Sequence, residues 1–220
     1  MKIERGYYIV AGILTFLVFV SGILIGWYLD NQRVSYLTKR YEDLETELQS
    51  LIIEDKFYQI FGNSSLICNF SFDRMYEVVK EVDELGERLE SFEKINQFNL
   101  QEFGRLKKRY TNLNIDLWLR ILKLKGKCNY TVHTILYFYP TKTVCVECDA
   151  QGLVLTYWKN RYPKQIMIFP IDGDLDIPLV SSIKSTFNVE RYTTLIIDEK
   201  KRVEGFISKE DLGEYFKDLE

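Results

Sequence analysis

The pattern of apolar and polar positions sets the N-terminal part of the chain apart from the rest. Residues 6–29 are 24 consecutive residues without a charge. As a helix they would span the roughly 30 Å hydrocarbon layer of a bilayer, with Tyr7, Tyr8, Trp27 and Tyr28 at its two interfaces. The pattern predicts a transmembrane anchor over residues 1–29. The alternative is a cleaved secretory signal, whose apolar region would be shorter, about 7–15 residues, and would end in a small-x-small site.

The flanking charges and the sequons favour one orientation of this anchor. Lys2 and Arg5 precede the apolar run, and a long tail follows it. We expect a single-pass protein of the cell membrane with a cytoplasmic N-terminus and the bulk outside. Asn-x-Ser/Thr sequons favour the same orientation as glycosylation candidates, at Asn63, Asn69 and Asn129. Gly22 and Gly26 form one G-x-x-x-G pair, which predicts a possible contact between two copies.

Residues 30–127 carry apolar positions at alternating steps of three and four, which is typical of helices that pack in a coiled-coil manner. These positions are Val34, Leu37, Tyr41, Leu44, Leu48 and Leu51, then Val78, Val82, Leu85, Leu89 and Phe92, then Phe103, Leu106, Tyr110, Leu113, Leu117, Ile121 and Leu124. Breaks fall after Phe61 and near Asn96, and Gly126 is expected to end the third helix. We predict a stalk folded into three helices, whose first helix could also pair with a second copy or which could dock a partner.

The last ninety residues alternate between strand-like and helix-like segments. Strands are predicted over 134–139, 165–169, 194–197 and 203–206, and helices over 146–161, over 177–187 and after Ser208, which forms a capping box with Asp211. The predicted order is β-α-β-α-β-β-α in a domain of residues 128–220. The fold class is therefore α+β overall, with a membrane helix, a helical stalk and a C-terminal α/β domain.

A Cys-x-x-Cys motif, Cys145-Val-Glu-Cys148, falls where the first strand gives way to the first helix of this domain. In this context residues 130–220 resemble the thioredoxin fold, and the whole arrangement resembles membrane-anchored thioredoxin-like proteins of archaea. The resemblance implies a thiol–disulfide oxidoreductase that needs no cofactor. It makes Cys145 the exposed attacking thiol and Cys148 the resolving thiol. The N-terminus of a helix stabilises a thiolate, which supports these roles.

The site departs from the thioredoxin pattern in three ways. Thr193 stands where that family has a cis-proline that faces the thiols, so Tyr192 and Thr193 are the expected substrate-binding residues. A cis bond before a residue other than proline costs about 3–4 kcal/mol, so we expect the Tyr192–Thr193 bond to be trans. Glu147 and Asp149 should raise the thiol pKa. The first strand lacks the buried carboxylate that the resemblance implies.

The remaining cysteines predict a second disulfide. If the first helix leads away from the membrane, the second returns and the third leads away again, Cys68 and Cys128 come to the same end of the stalk. Cys128 is separated from the Cys-x-x-Cys motif by a strand of roughly 20 Å. We therefore predict a structural Cys68–Cys128 disulfide, with two free thiols as the alternative.

Composition narrows the remaining classes of function. The 29 Lys and Arg residues against 32 Asp and Glu give a net charge of −3, which argues against a nucleic-acid partner. His133 is the single histidine, so His-rich metal sites are excluded, and we expect no metal. Other interpretations of Cys145 and Cys148 remain: a structural disulfide, or half of a zinc site completed by Cys68, Cys128 or His133. The expected partners are the lipid bilayer and either protein thiol substrates or a redox protein. The rival function is a non-catalytic surface scaffold.

Overall fold

The computed structural model describes residues 5–61, 64–95, 100–128, 130–141 and 145–219. Three long helices come first, namely α1 (Arg5–Phe61), α2 (Ser64–Ile95) and α3 (Leu100–Cys128). The sheet and its helices follow, in the order β1 (His133–Tyr139), α4 (Val146–Arg161), β2 (Ile166–Asp172), α5 (Pro178–Thr186), β3 (Thr194–Ile197), β4 (Lys201–Glu204), α6 (Lys209–Gly213) and a 3-10 helix (Glu214–Leu219). This mixture of helices and a four-stranded sheet has the element order that the sequence predicts.

The apolar N-terminal segment is continuous with the helix that follows it. Tyr8–Leu29, within α1, is long and apolar enough to cross a membrane, and it is not buried against the rest of the protein. A Cβ atom added at Gly22 or Gly26 would meet nothing within 4 Å. A membrane anchor and a signal sequence both have this character.

The helices α1, α2 and α3 pack against one another around a shared apolar core. All the predicted heptad positions whose side chains the structure describes are buried, except Phe103, which is half-buried. The side chains of Val34 and Phe92 lie outside the described residues. Arg40 of α1 pairs with Glu81 of α2 at 3.3 Å. The three-helix arrangement is thus observed, and knobs-into-holes packing stays a prediction.

Three elements have bounds that differ from the predicted ones by two residues or more. Helix α3 does not end at Gly126 but continues to Cys128, which a disulfide ties to α2. Strand β2 continues to Asp172, because Pro170 lies on an edge strand, where a missing N–H group is tolerated. Strand β4 begins at Lys201, because Asp198 and Glu199 take positive φ angles and close a short turn.

The sheet order β2-β1-β3-β4 and the strand directions bring the C-terminal ends of β1 and β2 and the N-terminal end of β3 to the same end of the sheet. Strand β1 is parallel to β2 and antiparallel to β3, and β4 is antiparallel to β3. Tyr139 lies opposite Asp172, and Phe138 lies opposite Thr194. We call this end of the sheet the carboxyl edge. The opposite end, with His133 and the β3–β4 turn, is the amino edge.

The helical bundle covers one face of the sheet. Side chains such as Leu136, Phe138 and Met167 belong to the same apolar core as the three long helices. The other face, with residues such as Ile135 and Leu195, packs in a core that includes residues of α4 and α6. Helix α3 is thus a layer of the C-terminal fold as well as part of the bundle. The division into stalk and head at residue 128 stays a prediction.

Candidate functional site

The two cysteines of the Cys-x-x-Cys motif lie at the start of α4 and form a disulfide, with their Cα atoms 5.2 Å apart. Cys145 caps the helix, and its Sγ accepts a hydrogen bond from the backbone N–H of Cys148 at 3.2 Å. Cys145 is half-buried, whereas Cys148 is only 8% exposed. One cysteine is therefore partly exposed at a helix N-terminus, which stabilises a thiolate, and the other is shielded.

Thr193 faces both sulfur atoms. Its Oγ1 lies 3.1 Å from Cys148 Sγ and 3.8 Å from Cys145 Sγ, and the residue is fully buried. Sulfurs in a disulfide carry no proton, so the hydroxyl must be the donor in the shorter contact. After reduction the same hydroxyl could donate to a thiolate, where a charge-assisted hydrogen bond is stronger.

The peptide bond between Tyr192 and Thr193 is cis, so the expectation of a trans bond is wrong. Contacts on both sides hold this segment in place. The Thr193 carbonyl accepts a hydrogen bond from the Gly205 N–H at 2.7 Å, and the Tyr192 hydroxyl accepts one from Lys184 at 2.8 Å. The tertiary setting therefore selects a conformation that the local sequence disfavours.

Tyr192 is half-buried beside Thr193, and its ring lies against Lys184 and Gly173. Lys184 Nζ lies 5.0 Å from the ring centroid, and a Cβ atom added at Gly173 would collide with the ring. Burial raises the pKa of Tyr192, although the Lys184 ammonium opposes this. The phenol therefore stays neutral and fixed next to Thr193.

Two further residues form hydrogen bonds that hold the motif and its helix in place, and sequence reasoning missed both. The Tyr137 hydroxyl donates to the Cys148 carbonyl at 2.8 Å. Burial, followed by the charges of Asp149 and Glu90, raises the pKa of Tyr137. Buried Gln151 accepts a hydrogen bond from the Ile207 N–H at 2.9 Å and so ties α4 to the turn beside Thr193. Alternation along β1 places Tyr137 on the same face as α4, which was the only signal in the sequence.

A buried ion pair lies at the carboxyl edge, beside the end of β1. Lys107 Nζ of α3 lies 3.1 Å from Oδ2 of Asp172, which is fully buried at the carboxyl edge. The Thr141 hydroxyl donates to the same oxygen at 2.6 Å, and its backbone N–H donates to Asp174 at 3.0 Å. The bundle is thereby linked, through Asp172, to Thr141 just after the end of β1. The carboxylate that the resemblance implies on the first strand is absent there, and Asp172 on the neighbouring strand is the buried acid at this edge.

The acidic residues of the motif are exposed to solvent. Glu147 and Asp149 both lie in the first turn of α4 with exposed side chains. Solvent and salt screen their charges, and their effect on the thiol of Cys145 stays a prediction. The helix N-terminus and the Thr193 hydroxyl favour a thiolate at short range.

The other predicted site residues lie away from the motif. Cys68 and Cys128 form a disulfide with each other, their Cα atoms 5.5 Å apart. His133 lies between Asp198 and Asp218 at the amino edge, with contacts of 2.6 and 3.0 Å. None of these three residues therefore lies where it could complete a zinc site with Cys145 and Cys148. Of the sequons, Asn63 and Asn129 lie outside the described residues, as does the side chain of Asn69, whose backbone is in α2.

Comparisons with known proteins give likenesses to thioredoxins. No protein-family model and no curated protein matches the chain. A malarial protein of known structure is similar at 25% identity over 40% of this chain and 96% of its own, with a TM-score of 0.33. Thioredoxin-2 of a malaria parasite, a component of that parasite's protein secretion machinery, is similar at 25% identity over 40% of this chain and 82% of its own, with a TM-score of 0.34.

A third similar structure is Deadhead, a germline-specific thioredoxin of Drosophila melanogaster. Its identity is 15% over 48% of this chain and 94% of its own, with a TM-score of 0.35. All three TM-scores are low. The looser resemblance to membrane-anchored thioredoxin-like proteins of archaea stays a prediction.

Proposed function

We propose that this protein is a membrane-anchored thiol–disulfide oxidoreductase that acts on proteins outside the cytoplasm. The observation that carries the proposal is the asymmetry of the Cys145–Cys148 disulfide, with a partly exposed cysteine at the helix cap and a buried cysteine one turn later. That asymmetry supplies an attacking group and a resolving group, the two functions that exchange requires.

In the reducing direction, the Cys145 thiolate attacks a substrate disulfide and forms a mixed disulfide, which releases one substrate thiolate. The Cys148 thiolate then attacks Cys145 Sγ, restores the Cys145–Cys148 disulfide and releases the second substrate thiolate. Two electrons pass from the pair to the substrate. In the oxidising direction the same steps run backwards, and a substrate dithiol is left as a disulfide. The redox partner sets the direction.

The exchange chemistry is tested on the purified full chain in lipid nanodiscs. Oxidised protein is mixed with a reduced dithiol peptide, and the loss of peptide thiols is followed with time, while equilibration with glutathione gives the reduction potential. We expect exchange by the wild type and none above background by Cys145→Ser. A pair that stays oxidised under strong reductant and oxidises no peptide would contradict the proposal and favour the non-catalytic scaffold.

The membrane location and topology are supported by the exposed apolar segment Tyr8–Leu29, by the basic residues Lys2 and Arg5, and by two disulfides, which persist in oxidising compartments. After mild reduction of intact cells, a membrane-impermeant thiol reagent should label the cysteines without lysis. Labelling only after lysis would place residues 30–220 in the cytoplasm and contradict this topology.

A further inference from the structure

The packing of α3 along the sheet fixes which way the carboxyl edge faces. Near the start of α3, Lys107 contacts Asp172 at this edge at 3.1 Å. Farther along, Trp118 Nε1 donates to Glu199 at 2.9 Å and Lys125 contacts Asp198 at 2.7 Å, both at the amino edge. Helix α3 therefore runs from the carboxyl edge to the amino edge of the sheet.

The packing of α1 beside α3 relates this direction to the apolar segment. The Arg109 guanidinium lies 5.5 Å from the Tyr41 ring centroid, and the later parts of the two helices meet around a small cavity lined by Leu51 and Leu124 among others. Both helices therefore run in the same direction. The start of α3, and with it the carboxyl edge, lies toward the end of the bundle that continues into Tyr8–Leu29.

The distance between the carboxyl edge and the apolar segment follows from helix geometry. Tyr41 is 12 residues beyond Leu29 in the continuous helix α1, which corresponds to about 18 Å along its axis. The Cys145–Cys148 pair lies at the carboxyl edge because Thr193, which contacts both sulfurs, directly precedes β3, and because Thr141 bonds Asp172. The Cys68–Cys128 disulfide lies at the other end of α3, beside the amino edge.

From this arrangement we infer that the substrates are cysteine pairs in the membrane-proximal segments of other membrane proteins, within about 20 Å of the bilayer surface. The inference rests on the proposed exchange activity and membrane anchor. A continuous helix that places the site at this height raises the effective concentration of thiols held at the same height, and lowers it for thiols held farther out.

The reaction starts from the disulfide that the structure contains and needs no added oxidant. A substrate thiolate attacks Cys145 Sγ and releases the Cys148 thiolate. The second substrate thiolate attacks the substrate sulfur of the mixed disulfide and releases the Cys145 thiolate. The substrate dithiol is oxidised and the Cys145–Cys148 pair is reduced, with two electrons transferred.

The test uses the oxidised full chain in nanodiscs with three reduced substrates that carry the same dithiol. Two are single-span peptides whose rigid helical spacers hold the dithiol about 15 Å or about 45 Å above the bilayer, and the third is a soluble peptide. A lengthened variant receives an 18-residue Ala/Glu/Lys helix between Asn31 and Gln32. This insertion adds five turns, about 27 Å, without rotating the site about the helix axis. The matched control carries the same insertion before Arg5.

We expect the wild type and the control to oxidise the near substrate about tenfold faster than the far substrate, and the lengthened variant to reverse that preference. The soluble peptide should react at one rate with all three proteins. Equal rates for near and far substrates, or a preference that the insertion leaves unchanged, would overturn the inference while exchange with the soluble peptide upholds the proposed function. If no protein oxidises the soluble peptide, the proposed function fails and the inference fails with it.

Discussion

The two disulfides of this protein differ in the length of chain that each one closes and in their surroundings. Cys68 and Cys128 are 60 residues apart in sequence and connect the start of α2 to the end of α3. Cys145 and Cys148 are three residues apart, at a helix N-terminus and against the Thr193 hydroxyl. In the chain-entropy model the first contributes about 4 kcal/mol to stability and the second only about 2 kcal/mol.

This difference separates a structural role from a chemical one. The Cys68–Cys128 disulfide closes a long loop and so restricts the unfolded chain, and it has no described polar partner that would activate its sulfurs. The Cys145–Cys148 disulfide closes a short loop and restricts the unfolded chain little, but it lies among groups that stabilise a thiolate. The two disulfides also lie at opposite edges of the sheet, so loss of the Cys68–Cys128 disulfide should affect stability and loss of the Cys145–Cys148 pair should affect exchange.

The largest effect expected is on exchange, from Cys145→Ser. The substitution removes the partly exposed cysteine thiol, so dithiol oxidation should fall to the buffer background. The free energy of unfolding should fall by no more than about 2 kcal/mol. Oxidation kinetics and guanidinium unfolding of the same preparation measure both. Exchange that survives this substitution would assign the chemistry to another cysteine.

The complementary variant replaces both Cys68 and Cys128 by Ser. Its free energy of unfolding should fall by about 4 kcal/mol, because the unfolded chain regains the freedom of a long loop. Exchange by the fraction that stays folded should keep the wild-type rate. A variant as stable as the wild type would mean that this disulfide does not constrain the chain.

A third substitution, Lys107→Met, tests the ion pair that links the bundle to the carboxyl edge. It leaves the Asp172 carboxylate buried without its ammonium partner, which should cost about 3 kcal/mol. The double variant Lys107→Met/Asp172→Asn removes both charges and should recover part of that loss. Chemical unfolding of the three proteins gives the comparison. Equal stability of the single variant and the wild type would show that the pair does not hold this edge.

Thr193→Val tests the hydroxyl that faces the sulfurs. It removes a donor that stabilises the thiolate form, so the equilibrium constant with glutathione should shift about tenfold toward the disulfide, which lowers the reduction potential by about 30 mV. Thr193→Ser keeps the hydroxyl and should stay near the wild-type value. The same potential in all three proteins would exclude a role for the hydroxyl.

The smallest effect is expected at the amino edge, from His133→Gln. The hydrogen bond to Asp198 raises the pKa of His133 above its ordinary value of about 6.5, although burial opposes this. The stability that protonated His133 contributes is therefore complete below about pH 6.5 and is lost as the pH rises through the raised pKa. At pH 6 the variant should be less stable by about 1 kcal/mol, and the difference should shrink toward pH 9.

Asp198 provides the internal reference for that pH dependence. Burial acts to raise its pKa, but hydrogen bonds from His133 and Lys125 lower it to about 2. The stability it contributes is present above its unfolded pKa of about 3.9 and is lost only as the pH falls toward 2. Between pH 5 and pH 9 Asp198 therefore stays ionised. Lys125→Met should lower stability by the same amount across that range, and exchange should be unchanged in both variants.

Local patterns in the sequence predict the elements well but not the contacts between them. The bounds of α4 and β3 follow from their own residues, and so does the cap formed by Ser208. The two residues of the cis bond before Thr193 accept hydrogen bonds from Gly205 and Lys184, which lie elsewhere in the chain. Local preference alone argues for the opposite isomer.

The packing of α3 on the sheet is the other feature that the sequence hides. A heptad pattern indicates one buried face of a helix, whereas α3 also contacts the sheet through residues such as Lys107 and Trp118. A lysine and a carboxylate 65 positions apart carry no signal that they will pair. The direction in which the site faces therefore becomes visible only in the folded chain.

The central claim, that Cys145 attacks and Cys148 resolves, is tested most directly by trapping the mixed disulfide. Cys148→Ser, Cys145→Ser and the double variant are purified from membranes and compared on non-reducing gels. Cys148→Ser lacks the resolving thiol, so high-mass adducts should accumulate in that sample alone. Equal adducts with Cys145→Ser, or none with either variant, would contradict the assignment.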